Sequence, residues 1–159
     1  MADVFSKSNR SAVMSRIRSR GNAATELALA KLLRRQGITG WRRHVPIRGR
    51  AALPRNPKSK AALQHHPTVR VKPDFVFRQM RLSVFVDGCF WHACPKHGTS
   101  PRNHRAFWRK KFSGNKKRDA LVTRTLRRTG WRVWRVWEHE LARKNEARLR
   151  RRIQRALNR

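Results

Sequence analysis

The stretch Ser83-Val84-Phe85-Val86-Asp87-Gly88-Cys89-Phe90-Trp91-His92-Ala93-Cys94-Pro95-Lys96-His97 constrains this chain more than any other. It begins as an apolar run with strand character and ends that run in a carboxylate followed by glycine. Both cysteines of the protein come next, set among two aromatics and two histidines. An acid delivered to a strand end beside a Cys/His cluster describes a reaction site braced by a metal.

The cluster has the pattern Cys89-x4-Cys94-x2-His97, and His139 follows a second strand-like segment. Two thiolates and two imidazoles suit a closed tetrahedral Zn2+ of the structural kind. A Cys89–Cys94 disulfide is the alternative. Closing so short a loop stabilises by about 2–4 kcal/mol, whereas a structural zinc contributes about 10–16 kcal/mol in small peptides. A small, self-repelling domain needs the stronger of these two stabilisations, which is zinc. His92, between the cysteines and close to Asp87, is then left to move protons.

Upstream, Phe75–Phe77 and Leu82–Val86 read as a hairpin joined across Arg78–Arg81. Folding it back sets Asp74 opposite Val86 and Asp87, or within about a residue of them. Two carboxylates at that spacing repel unless a cation lies between them. Asp74 and Asp87 are therefore candidate ligands of a catalytic divalent metal.

Charge sets the partner. The chain has 159 residues, enough for one core, and carries 41 Lys+Arg against 8 Asp+Glu, a formal net charge of +33. Such a field destabilises the compact state unless a polyanion answers it, and nucleic acid is the expected one. A membrane surface is the rival, but no lipidation motif or apolar span is visible. The N-terminus lacks an apolar signal segment, so a cytoplasmic location is expected. Each of the few acids is informative, although in so basic a chain a carboxylate also serves simply as a counter-ion for arginine.

The organisation expected is a basic arm over residues 1–21 and a single domain over 22–159, with a basic, proline-punctuated insertion at 48–72. The adjacent pair His65-His66 is not read as a metal site, because neighbours on an extended chain point opposite ways. A helix is predicted over Ala23–Gln36, capped by Asn22 and stopped by Gly37, with Glu26 in its first turn. Trp41–Ile47 reads as a short strand. Arg105–Phe112 reads as a short helix, followed by a second, Lys116–Arg128, capped by Asn115 and carrying Asp119. Trp131–Trp137, with tryptophans on both faces, reads as an interior strand. A last helix spans about Ala142–Leu157. The fold class is α/β, a small sheet with helices on its faces.

The blocks Pro73-Asp74-Phe75, Phe85-Val86-Asp87-Gly88-Cys89-Phe90-Trp91-His92, Phe107-Trp108, Arg118-Asp119 and Gly130-Trp131…Trp137-Glu138 resemble the very short patch repair (Vsr) DNA mismatch endonucleases. The resemblance covers most of the chain. It implies a restriction-endonuclease-like core, a structural zinc, and Mg2+-dependent nicking next to the T of a T:G mismatch. It implies that Asp74 binds magnesium and that Val86 offers a backbone carbonyl to it. His92 would be the catalytic histidine, Asp119 the acid that orients a histidine, and Glu26 a helix glutamate near the site. Phe90, Trp91 and Trp108 would form an aromatic wedge in the base stack. Where the best-known members have a second histidine, this chain has Asp87. A monomer on mismatched DNA is expected. The competing readings are a restriction- or defence-type nuclease acting on ordinary duplex, and a non-catalytic zinc-stabilised nucleic-acid-binding module.

Overall fold

Asn22 opens the first described segment with a turn rather than a helix. Its side-chain oxygen accepts the Ala24 N–H at 2.9 Å and its carbonyl accepts the Leu27 N–H at 3.2 Å. Residues 23–25 are used by that turn, and helix α1 runs Glu26–Arg35. The far end closes as glycine allows. Gly37 sits at φ +64, its N–H reaches the Arg34 carbonyl, and Ile38 N–H reaches that of Leu33, each at 3.0 Å. Two orphan carbonyls are satisfied by this pair of bonds.

The computed structural model describes residues 22–50, 68–101 and 103–158. The expected arm 1–21, the His65-His66 pair and residues 51–67 of the expected insertion lie outside the described residues. The remaining elements are β1 (Trp41–Arg43), β2 (Ile47–Arg50), β3 (Thr68–Val71), β4 (Phe75–Phe77), β5 (Leu82–Asp87), helix α2 (Arg105–Arg128), β6 (Arg132–Trp137), 3-10 turns at Glu138–Leu141 and Arg143–Asn145, and helix α3 (Glu146–Leu157). By internal contacts the chain forms two compact units. One comprises residues 22–39, 86–116 and 136–158; the other comprises the described residues within Gly40–Phe85 and Lys117–Arg135.

In the second unit, the hairpin expected from the apolar pattern is present. β4 and β5 pair antiparallel as Phe75↔Val84, Val76↔Ser83 and Phe77↔Leu82. β1 pairs antiparallel with the other edge of β4, from Trp41↔Phe77 to Arg43↔Phe75. The sheet order is β1-β4-β5-β6. Arg132 at the start of β6 donates its N–H to Arg81, just before β5, at 2.8 Å, and Ser83 Oγ bonds the Arg132 carbonyl at 3.0 Å. Start meets start, so β6 runs parallel to β5, with α2 as the crossover, and the sheet is mixed. β6 is an edge strand, not the interior strand expected. Its apolar residues on both faces report covered faces; they say nothing about a neighbour in the hydrogen-bonding direction.

The expected strand Trp41–Ile47 is two strands, split at His44, which takes φ +53. β2 then pairs with β3, Ile47↔Val71 through Arg50↔Thr68, so the ends of the expected 48–72 insertion form a ribbon. Ile47, Val71, Val76 and Leu126 make the core of this unit, with Val45, Phe85, Val122, Trp131 and Val133 packed around it.

Two expected helices are one. α2 runs 24 residues straight through Gly114. Asn115 does not cap; it is 8% exposed and donates its amide to the Trp91 carbonyl at 2.7 Å. With that side chain engaged elsewhere, nothing competes for the backbone, and one glycine costs only about 1 kcal/mol in a helix interior. In the first unit, Leu29 and Leu33 of α1 and Leu149 and Ile153 of α3 are almost wholly buried. Arg35 in the last turn of α1 pairs with Glu146 in the first turn of α3. Each charge also suits the helix end that carries it. No helix among the described residues is long and apolar enough to cross a membrane.

Candidate metal centre and active-site residues

The segment after β5 coils on itself. His92 N–H bonds the Gly88 carbonyl at 3.1 Å, Cys94 N–H that of Cys89 at 2.9 Å, and Gly98 N–H that of Cys94 at 2.7 Å. This winding turns Cys89, Cys94 and His97 to one side. His139, in the 3-10 turn after β6, meets them there. The four ligand atoms all lie within 4.8 Å of one another. His139 Nδ1 is 3.2 Å from Cys89 Sγ and 3.6 Å from Cys94 Sγ, and the His97 and His139 rings are 4.4 Å apart. The cysteines are not bridged to each other.

Surrounding groups hold the donors. Glu138 accepts the Cys89 N–H at 3.0 Å, and Asn145 donates to the His139 carbonyl at 2.7 Å. Glu140 accepts the Trp137 N–H at 3.0 Å and pairs with Arg152. Burial pushes the Cys89 thiol up, and the neighbouring Cys94 adds to this. Burial also pushes the His139 imidazole down, with the charges of His97, Lys96 and Arg148 contributing. The neutral imidazole is the form that ligates. Two sulfurs and two ring nitrogens at this spacing match the donor set of a tetrahedral closed site.

The β4–β5 register places Asp74 one residue before Phe75, hence across from Phe85, with Val86 and Asp87 next along β5. Val86 is 9% exposed and Asp87 4%. Asp87 Oδ1 lies 3.8 Å from His92 Nδ1, so the carboxylate that faces His92 in its own unit is Asp87. Asp119 pairs with Arg135 at 3.1 Å, and that guanidinium lies over Phe85, 5.1 Å from the ring centre. Glu26 is buried in the first turn of α1, at 5% exposure.

The sequence matches the family of the DNA mismatch endonuclease Vsr over residues 2–54 and 63–97. It is 34% identical, over 140 residues, to the DNA mismatch endonuclease Vsr of Escherichia coli, covering 87% of this chain and 74% of that enzyme. The chain belongs to the Vsr family of DNA mismatch endonucleases. It is a DNA endonuclease, a hydrolase. Other relatives are the type II nicking enzyme V.NmeAIP of Neisseria meningitidis, 34% identical over 98% of this chain and 94% of that enzyme, and V.NaeI of Lentzea aerocolonigenes. The last is 51% identical over 72 residues, 45% of this chain and 43% of that enzyme.

In this Vsr-family chain the aromatics form one cluster. Phe90 meets Trp91, Trp108 and Phe112 edge-on, with ring centres 5.2, 5.1 and 5.5 Å apart. Phe90 and Trp91 are half-buried, Trp108 is 6% exposed, and Phe107 beside it is 60% exposed. Asn115 pins the Trp91 backbone from α2.

One residue near an expected site is not evident from sequence. His44 follows β1 and, by the β1–β4 register, faces Asp74. Its N–H donates to the Asp74 carbonyl at 3.3 Å, and a ring nitrogen lies within 4.8 Å of an Asp74 carboxylate oxygen. The only signal for it is the position of a lone histidine one residue past a strand whose pairing the sequence leaves open.

Proposed function

We propose that the chain nicks double-stranded DNA next to the T of a T:G mismatch, by metal-assisted phosphodiester hydrolysis, in very short patch repair. The observation that carries this is the Cys/His cluster formed directly after Asp87, with His92 of the same loop beside that carboxylate. Asp74, Asp87 and the Val86 carbonyl would hold Mg2+; hard oxygen donors of this kind suit it. When bound, the ion supplies Lewis-acid polarisation of the phosphate and a more acidic bound water. His92, oriented by Asp87 at 3.8 Å, handles the proton. Asp119 fixes Arg135, and Glu26 adds a buried carboxylate to the acid set. Cys89, Cys94, His97 and His139 would hold a structural Zn2+ that anchors the loop carrying His92, Phe90 and Trp91.

DNA is gripped through its phosphates by a chain of net charge +33, which positions the backbone without reading sequence. Phe90 and Trp91 stack on bases at the mismatch, with Trp108 packed behind them as support. Cutting of a single strand is supported by the relatives named as nicking enzymes.

The experiment sets a T:G duplex beside the matched duplex, with Mg2+ or with chelator. The T:G strand is cut and the matched one is not, and chelator stops the reaction. Asp74→Ala and Asp87→Ala each lower the rate by about 10^3-fold, the scale of several kcal/mol of metal stabilisation. Equal cutting of both duplexes removes the mismatch claim. Undiminished nicking by Asp74→Ala removes the metal assignment.

A further inference from the structure

His44 adopts φ +53. A residue with a β-carbon takes this left-handed conformation seldom, and such strain persists only where the surroundings enforce it, often at functional sites. What surrounds His44 is Asp74. The backbone N–H bonds the Asp74 carbonyl, and a ring nitrogen approaches the Asp74 carboxylate. On the other side, Arg43 Nη2 is 3.3 Å from His44 Nε2. A guanidinium has donors only, so the contact is one that Arg43 can donate to the His44 ring.

From this geometry we infer that His44 is a positioning residue for Asp74. The backbone bond fixes the Asp74 main chain and the ring flanks its carboxylate, which limits the orientations in which that carboxylate can meet a divalent cation. The inference rests on the assignment of Asp74 as a metal ligand made above. Donors behind metal-binding side chains contribute about 10–100-fold in metal affinity. The left-handed turn is part of the device, because it brings the N–H and the ring of one residue to bear on the same acid.

Three substitutions separate the turn from the ring. Asn tolerates positive φ and keeps a side-chain N–H; Gly tolerates positive φ and has no side chain; Ala has neither property. Mn2+ binding to the zinc-loaded full chain, followed by electron paramagnetic resonance without DNA, gives a readout independent of cleavage. His44→Ala and His44→Gly weaken Mn2+ binding by about 10-fold or more, and His44→Asn stays within about 3-fold of wild type. In nicking assays the Mg2+ needed for half-maximal rate rises in parallel, while the rate at saturating Mg2+ changes less than about 2-fold. Wild-type Mn2+ affinity in His44→Ala overturns the inference. So does wild-type affinity in His44→Gly, which would leave the ring without a role. Asp74→Ala is run beside them. If it leaves Mn2+ binding intact, the metal assignment itself fails and takes this inference with it. If Asp74 is required and His44→Ala is silent, only the His44 role falls.

Discussion

Cys94→Ser removes one donor from a loop whose other anchors are its own backbone bonds, the Glu138 and Asn115 contacts and the rings of Phe90 and Trp91. Of the ten residues Cys89–Gly98, only Cys94 is buried; the rest are half-buried or exposed. Ordering them costs about 10–20 kcal/mol at about 1–2 kcal/mol per residue. The backbone bonds made by His92, Ala93, Cys94 and Gly98 offset only about 2–6 kcal/mol of that. The remainder, about 4–18 kcal/mol, is met by the Glu138, Asn115 and aromatic contacts together with a structural zinc, which contributes about 10–16 kcal/mol in small peptides. If about 5 kcal/mol of the loss reaches global unfolding, the Tm falls by about 10–20 °C for a chain of this length. Wild-type protein purified without chelator should hold about one zinc per chain by elemental analysis. Its Tm should fall on chelation and recover on adding Zn2+, whereas that of Cys94→Ser should stay low with Zn2+ present. Wild-type protein that holds no zinc would refute the reasoning, as would a Cys94→Ser Tm within about 2 °C of the zinc-loaded wild type.

Other substitutions address packing and backbone. Asn115→Ala strands the Trp91 carbonyl in a buried place and should cost about 1–3 kcal/mol, seen as a lower urea midpoint and a changed near-ultraviolet dichroism from the aromatic cluster. Leu126→Ala empties a fully buried site in the core of the second unit and should cost about 2–5 kcal/mol in the same titration. Glycine substitutions go opposite ways. A β-carbon at Gly114 meets nothing within 4 Å, so Gly114→Ala should raise stability by about 0.5–1 kcal/mol. At Gly98 it would lie 2.5 Å from the Cys94 carbonyl, so Gly98→Ala should lower both stability and zinc content.

The hairpin was legible because the period of its apolar residues and the length of its turn fix the pairing locally. The closure of α1 at Gly37 was legible for the same reason: the residues that end a helix are next to it in sequence. What could not be read were choices settled by distant partners. Asn115 has the chemistry of a helix cap, and only the Trp91 carbonyl, brought from another loop, decides that it lies inside a helix. The tryptophans of β6 report covered faces, while the position of the strand in the sheet depends on which chain segment competes for its edge. His44 needed both the β1–β4 register and a positive φ to be noticed, and neither is written in residue types.

The acids show the same division between partners near in sequence and partners brought by the fold. Asp119, Glu140 and Glu146 each take an arginine: Arg135, Arg152 and Arg35. For Glu140 and Glu146 the pair accounts for the carboxylate as a counter-ion, and their loss should register first in stability. Asp87 faces a histidine, Glu138 receives the backbone of a cysteine in the Cys/His cluster, and Asp74 is held at its carbonyl by His44. Those contacts are with a histidine or with main chain, not with an arginine. A carboxylate near an arginine in so basic a chain needs no further explanation. One set beside a histidine or a main-chain N–H is placed by something other than charge pairing, and that placement is what the proposed metal role would use.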